Sequence, residues 1–225
     1  MMIHNVSPRG GAVRLRTICI VATVLAASAV LSCTPAFAAG GRRRAAHPTR
    51  RLGAQVRRRH HRPRCVDAHA RIGRVPRAAI ERATVCLLNH ERTERGLPRL
   101  RASRLLTRSA QRWTNTMVRE RAFTHGADFS ARITAVGFDW QRAGENIADG
   151  YRTAAGAVRA WMRSVGHCQN ILTPVFRDVG AGFDRGSALG GGTLRGTWTL
   201  DLALGMHQRA LSENWKPAEG CPYRG

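Results

Sequence analysis

Beyond residue 75 the apolar positions follow two different periods. Ile80, Ala83, Leu87 and Leu88 fall at i, i+3, i+7 and i+8, one face of a helix, which Gly96 and Pro98 close. Ser103 is placed to cap a second helix whose inner face is Leu106, Ala110, Trp113 and Met117. Asp128 caps a short third one through Ile133 and Val136, stopped by Gly137. Thr153 opens a fourth, with Ala154, Ala157, Val158 and Trp161 turned inward; Gly166 is expected to break it, and His167–Ile171 to form one further turn before Pro174. The period then changes to two. Val179, Ala181 and Phe183 alternate with Asp178, Gly180 and Gly182, and from Leu194 to Leu204 apolar residues alternate with Arg195, Thr197, Thr199 and Asp201. The glycines at 190–192 read as the loop of a hairpin, and Ala143–Ala148 as a third strand. Helices followed by antiparallel strands predict an α+β fold.

The chain ahead of these elements carries a different message. Arg9, Arg14 and Arg16 precede an apolar run from Ile18 to Leu31, and Ala36-Phe37-Ala38 makes an A-x-A exit site. Residues 1–38 therefore read as a secretory signal peptide cut after Ala38. A second processing pattern, Leu31-Ser32-Cys33, would instead leave a lipid anchor on Cys33. Cleavage after Ala38 leaves Cys65, Cys86, Cys168 and Cys221. Four cysteines in an exported protein predict two disulfides, with three connectivities open. No C-x-x-C pair is present, which argues against a zinc ribbon.

Charge separates a tether from a domain. The formal net charge is +23, and Lys216 is the only lysine. Residues 41–74 hold twelve arginines against one acid, Asp67. Such a stretch buries too little to offset its ordering entropy, so 39–74 reads as a disordered Arg-rich tether and 75–225 as a single domain. The tether's expected partner is an anionic cell-wall polymer or membrane surface. Export argues against nucleic acid, and no aromatic residue interleaves the arginines to stack on bases.

Three side chains stand out as candidate chemistry: His125 after Phe123-Thr124, Glu145 in GENIADG, and His167 in SVGHCQNIL. Two imidazoles and a carboxylate suffice for a His₂Glu metal site or for acid–base work. Their spacing alone does not join them, because a histidine bonded to a backbone carbonyl is the commoner case. Other motifs fail: His90-Glu91-Arg92-Thr93-Glu94 lacks the second histidine of a zincin helix, and no G-x-S-x-G elbow or phosphate loop occurs. Glu91 and Arg95 fit a surface pair at i, i+4. Trp113, Trp161 and Trp198 are expected in the core.

The strings LLNHERTERGLPRL, FTHG, RITAVGF, GENIADG, AVRAWMRSVGHCQNIL, FRDVGAGF and TWTLDLALG, in this order over about residues 79–205, resemble the bacterial branch of the CAP superfamily, also called SCP/TAPS. The resemblance implies an α-β-α sandwich with a small antiparallel sheet between helical layers. It also implies a cavity lined by two histidines and two acids. His125, Glu145 and His167 match three of these. The second acid should stand three residues after Trp161, where this chain has Ser164. The loss of that carboxylate weakens any divalent-cation site, leaving at most an ion such as zinc held loosely by His125 and His167 with water. Asn89 and Arg92 match a structural pair on the first helix. In this setting Cys168 is expected to pair with Cys221, and Cys65 with Cys86.

The expected function is a secreted, non-catalytic domain that binds a lipid, protein or other ligand at the cell envelope through a cleft lined by His125, Glu145, His167 and Ser164. The alternative is an extracellular, protease-like hydrolase, metal-assisted or not, for which Ser164 is the one candidate nucleophile. A third reading makes the tether the working part of a wall-associated structural protein.

Overall fold

The computed structural model describes residues 2–5, 65–191, 195–210 and 220–221. The rest of the signal segment, residues 39–64 of the tether, and Leu194 lie outside the described residues. In chain order the elements are β1 (Met2–Asn5), α1 (Arg77–Thr93), β2 (Arg101–Ala102), α2 (Arg104–Glu120), α3 (Phe129–Ala135), β3 (Trp140–Tyr151), α4 (Ala154–Arg163), α5 (Val165–Leu172), β4 (Asp178–Asp184) and β5 (Gly196–Gly205). The sheet runs β1-β3-β5-β4-β2. Its pairs are antiparallel except the short β2, which lies parallel to β4. Helices α2 and α3 cover one face; α1, α4 and α5 cover the other. The fold is α+β, an α-β-α sandwich. Among the described residues no helix is long and apolar enough to cross a membrane. Strand β1 pairs with Arg142–Glu145 of β3 and lies within the segment the sequence marks for removal.

The helix starts follow the side chains that can cap them. Ser103 Oγ accepts from Leu106 N, Asp128 from Ala131 N, and Thr153 from Gly156 N. Gly96 and Gly137 end α1 and α3 with φ of +71° and +84°, a conformation that costs glycine little. One break differs from expectation. Ser164, extended at φ −101° and ψ 123°, separates α4 from α5, whereas Gly166 sits inside the first turn of an eight-residue α5. A single glycine in a helix costs only about 1 kcal/mol, which packing readily offsets.

The folded unit also begins earlier than expected. Residues 65–74 belong to it, not to the tether. Ala68 and Ile72 are buried, Ile72 N donates to Arg152 O (3.0 Å), and Ala155 N donates to Ala68 O (2.9 Å). The disulfide Cys65–Cys86 holds this segment on α1. Two apolar anchors and a covalent link offset the ordering entropy that its arginines alone could not. The second disulfide is Cys168–Cys221. Each closes a loop and contributes roughly 2–4 kcal/mol.

Both faces of β5 are buried along its whole length. On one face Trp198, Leu200 and Leu202 join Trp161, Phe176 and Phe183 in the main core, with the Phe183 and Trp198 rings 4.7 Å apart. The opposite face meets α2, where Thr114 Oγ1 donates to Thr199 Oγ1 (2.8 Å). Helix α2 comes so close to β4 that a Cβ on Gly180 would stand 2.1 Å from the backbone of Leu106 and Thr107. Below α1, the buried Arg92 donates to the carbonyls of Pro98, Ile171, Thr173 and Phe176. Burial pulls its pKa down to about 10. Asn89 exchanges two hydrogen bonds with the backbone of Leu100. This pair ties the α5–β4 connection to α1.

Candidate functional site

The Gly-Glu-Asn triplet of β3 acts on both faces of the sheet, because successive side chains alternate. Gly144 faces α5, where a Cβ would stand 2.9 Å from the Phe176 ring. Asn146 points to the same side; its Nδ2 donates to His167 O (3.0 Å), and its Oδ1 accepts from Asn170 Nδ2 (2.9 Å). Asn146 therefore fixes the turn that carries His167. Glu145 points the other way, toward α2 and α3, and is 1 % exposed.

Both oxygens of Glu145 are engaged. His125 Nδ1 donates to Oε1 (2.8 Å) and Arg132 Nη2 to Oε2 (2.6 Å). Arg132 Nη1 also reaches His125 O (3.0 Å), so one guanidinium braces both residues. Its plane lies 3.9 Å from the Trp113 ring, whose Nε1 donates to Thr124 O (3.0 Å). Gly126, at φ +70°, lets the chain pass over that indole; a Cβ there would stand 2.9 Å from it. Trp113 is thus half-buried as a platform for Arg132 and not a core residue, while Trp161 and Trp198 are in the core.

A fourth charged group lies behind this set. Asp201 of β5 stands opposite Glu145 in the strand register and is 2 % exposed. Burial, with the Glu145 charge beside it, pushes its carboxyl well above the usual carboxylate range; Ser109 and Arg132 pull the other way. Its Oδ1 has no hydrogen-bond partner among the described residues. A proton held on Asp201 avoids two like charges facing each other in a dry interior.

His125, Ser164 and His167 line one cleft of about 520 Å³, and Glu145 sits behind His125 rather than in the wall. The cleft is walled by Phe123 and Gly126 from the α2–α3 loop, Ile147 and Asp149 from β3, Trp161 from α4, and Leu189 from the β4–β5 loop. His167 Nδ1 lies 2.9 Å from Ser164 Oγ. Burial, then the nearby His125 charge, lowers the His167 imidazole below its ordinary value. The sequence reading missed Arg132, Asp201 and the platform role of Trp113. Phase was the one available signal: Gly180 and Asp201 are register partners, and a strand glycine marks close approach of another element.

This donor set does not fit a His₂Glu metal site. Glu145 is taken by His125 and Arg132, and the Nδ1 atoms of both histidines are engaged. Among the described residues no three His, Cys, Asp or Glu side chains converge to hold an ion. We expect weak zinc uptake at pH 7.5 by calorimetry. Ser164→Glu, which supplies an unengaged carboxylate beside His167, should tighten it at least about tenfold, and His125→Ala should abolish it. Equal heats from wild type and His125→Ala would exclude the imidazoles as ligands.

Asp201 makes a second expectation. Its folded pKa is raised, so the folded state keeps a proton that the unfolded chain releases near pH 4. Stability from this group is complete below that point and is lost as pH rises toward the folded value, by about 1.4 kcal/mol per pH unit. His167, lowered from its ordinary value, acts oppositely, its contribution falling as pH drops below about 6.5. Asp201→Asn should therefore remove the first slope and keep the second. Thermal melts of both proteins from pH 4 to 8 check this; parallel curves would show that Asp201 ionises freely.

The chain has recognisable relatives. Residues 85–201 match the model of the family described as CAP, Cysteine-rich secretory protein family. Uncharacterized protein YkwD of Bacillus subtilis (strain 168) is 37 % identical over 111 residues, 47 % of this chain and 43 % of that one. Uncharacterized membrane protein YlbC of the same organism is 29 % identical over 109 residues, 47 % of this chain and 32 % of that one. The matched segment is less than half the length of either relative. An extracellular protein containing a SCP domain from Bacillus anthracis str. Ames has a similar structure, with TM-score 0.50 and 21 % identity over 58 % of this chain and 44 % of that one. At that identity the likeness speaks for the fold alone. The family match starts within α1 and ends within β5, more than half of the chain and every layer of the sandwich, and the chain belongs to the CAP, or cysteine-rich secretory protein, family.

Proposed function

We propose that this is an exported, non-catalytic CAP domain whose cleft binds a ligand with an apolar body at the cell envelope. The observation that carries the reading is the cleft itself: about 520 Å³, with Phe123, Ile147, Trp161 and Leu189 along its walls and His125, Ser164 and His167 at one end. Apolar walls with a few convergent polar groups are the usual make-up of small-molecule sites. Export is supported by the signal-like start, by two disulfides, and by a similar structure described as an extracellular protein. The Arg-rich tether then holds the domain at an anionic wall polymer or membrane surface.

The neutral apolar dye Nile red tests the cleft. It should fluoresce on binding the protein, and Leu189→Asp, which puts a charge on an exposed wall residue, should abolish the signal. Emission unchanged by that substitution would place the dye elsewhere and refute the reading. For the tether, deletion of residues 42–64 removes ten arginines and should release the protein from anionic vesicles at low salt. Equal retention of both forms would make the tether a spacer.

One observation favours the hydrolase alternative, the contact between Ser164 Oγ and His167 Nδ1. It places a hydroxyl on a base that burial keeps neutral. Among the described residues, however, no carboxylate bonds His167 to orient it, and the acid nearest in kind, Glu145, serves His125. A fluorophosphonate probe should leave Ser164 unlabelled; labelling lost in Ser164→Ala would establish the alternative.

A further inference from the structure

The cleft does not end at the histidines. Beside Ser164 lies a second cavity of about 530 Å³, and Tyr151, Ala160 and Ser164 line both. The two form one trough beside α4. Its character changes along its length. The first part has the apolar walls described above; the second carries Arg159 and Arg163, exposed on α4 one turn apart. Among the described residues neither guanidinium has a hydrogen-bonding or ionic partner. Like charges at i, i+4 destabilise a helix slightly, and an anion lying between them removes that cost.

The acids that could answer these cations are engaged elsewhere. Asp149, in the wall of the first cavity, accepts from Ala188 N (2.8 Å), Thr197 Oγ1 (2.5 Å) and Ser187 Oγ (2.6 Å), and so holds the β4–β5 loop. Glu145 is held by Arg132 and His125. At the trough's midpoint stands Ser164, a hydroxyl that can donate to an anion where a carboxylate would repel one. The trough thus presents an apolar stretch, a hydroxyl and two unpaired guanidinium groups in that order.

We propose that the trough takes an anionic amphiphile, its phosphate or carboxylate head on Arg159 and Arg163 and its hydrocarbon along Tyr151 and Ala160 toward Trp161. This rests on the ligand-binding reading of the cleft and names the chemical class of its ligand. Guanidinium suits both head groups because its paired N–H donors match two oxygens at once.

Calorimetry on the full chain tests the assignment, with decyl phosphate, decanoate, decanol and inorganic phosphate below their aggregation limits. Salt is set at about 0.15 M to screen the tether's long-range field. Decyl phosphate and decanoate should bind, and the double variant Arg159→Ala/Arg163→Ala should weaken both at least about tenfold. Arg108→Ala/Arg112→Ala removes the same charge from exposed positions on α2 and should change them less than about twofold. Decanol should bind the wild type more weakly than decanoate, and inorganic phosphate more weakly than decyl phosphate. Equal losses in the two double variants would assign binding to the general surface field and overturn the proposal. Inorganic phosphate bound as tightly as decyl phosphate would overturn the amphiphile and leave a plain anion site. Nile red bound in a Leu189-dependent manner, with decyl phosphate indifferent to Arg159 and Arg163, would overturn this inference and keep the cleft reading. Failure of Nile red as well would remove both.

Discussion

Gly180→Ala should cost the domain at least about 3 kcal/mol, a large part of the 5–15 kcal/mol that holds a typical domain together. The added methyl would stand 2.1 Å from the carbonyl carbon of Leu106 and the amide nitrogen of Thr107. These are backbone atoms in the first turn of α2, so no side chain can turn aside. Relief requires α2 to lift from β4 and β5, which opens the packing around Ala110 and Thr114. Gly182→Ala should behave alike, because its Cβ would stand 2.5 Å from the backbone of Ala110 and Gln111. Gly96→Ala is the control for glycine chemistry in general, since nothing lies within 4 Å of its Cβ position. It should lose only the smaller penalty of a left-handed residue, about 1–2 kcal/mol. Urea unfolding of the three variants separates steric overlap from backbone preference. A Gly180→Ala protein as stable as Gly96→Ala would mean that α2 is not seated on β4 as described.

Arg132→Met should cost about 3–5 kcal/mol, although its side chain is one-fifth exposed and lies on a seven-residue helix. The cost comes from what it leaves behind. Glu145 is 1 % exposed and would keep only His125 as a donor, with Asp201 behind it in the register. A buried charge stripped of its main partner is far more costly than the pair was stabilising. Glu145→Gln alone should also destabilise, because it leaves a cation facing a neutral amide. The double variant should recover at least about 1 kcal/mol relative to the sum, the sign of a direct coupling. Additive losses would show that Arg132 acts through its stack on Trp113 instead.

The sequence revealed the parts of the fold that are settled locally. Ser103, Asp128 and Thr153 cap helices because a short polar side chain reaches the next turn's N–H wherever it occurs. The β4–β5 hairpin followed from the change of period. The disulfide pairing agreed with the expectation set by the CAP resemblance. What escaped was settled by three-dimensional neighbours. Thr197, Thr199 and Asp201 look like the wet side of a half-buried strand, yet α2 lies over them and all three are within 2 % of full burial. Arg132 sits on a short helix in a protein crowded with arginines, so nothing in its sequence setting distinguishes it from those in solvent. Its role needs Trp113, His125 and Glu145 at once, residues drawn from a helix, a loop and a strand.

The central position of β5 has a consequence for how the domain opens. Its backbone is paired on both edges and covered on both faces, so its amides should exchange with solvent only when the whole domain unfolds. The β4–β5 loop, with Leu189 exposed and Gly190 and Gly191 at positive φ, belongs to the opposite end of the protection scale. Asp201 thus stands on the last part of the molecule to come apart and faces Glu145 on the neighbouring strand, while Leu189 lies on one of the first. The rim of the cleft can exchange its contents many times between global opening events, with the carboxylate floor behind the histidines undisturbed.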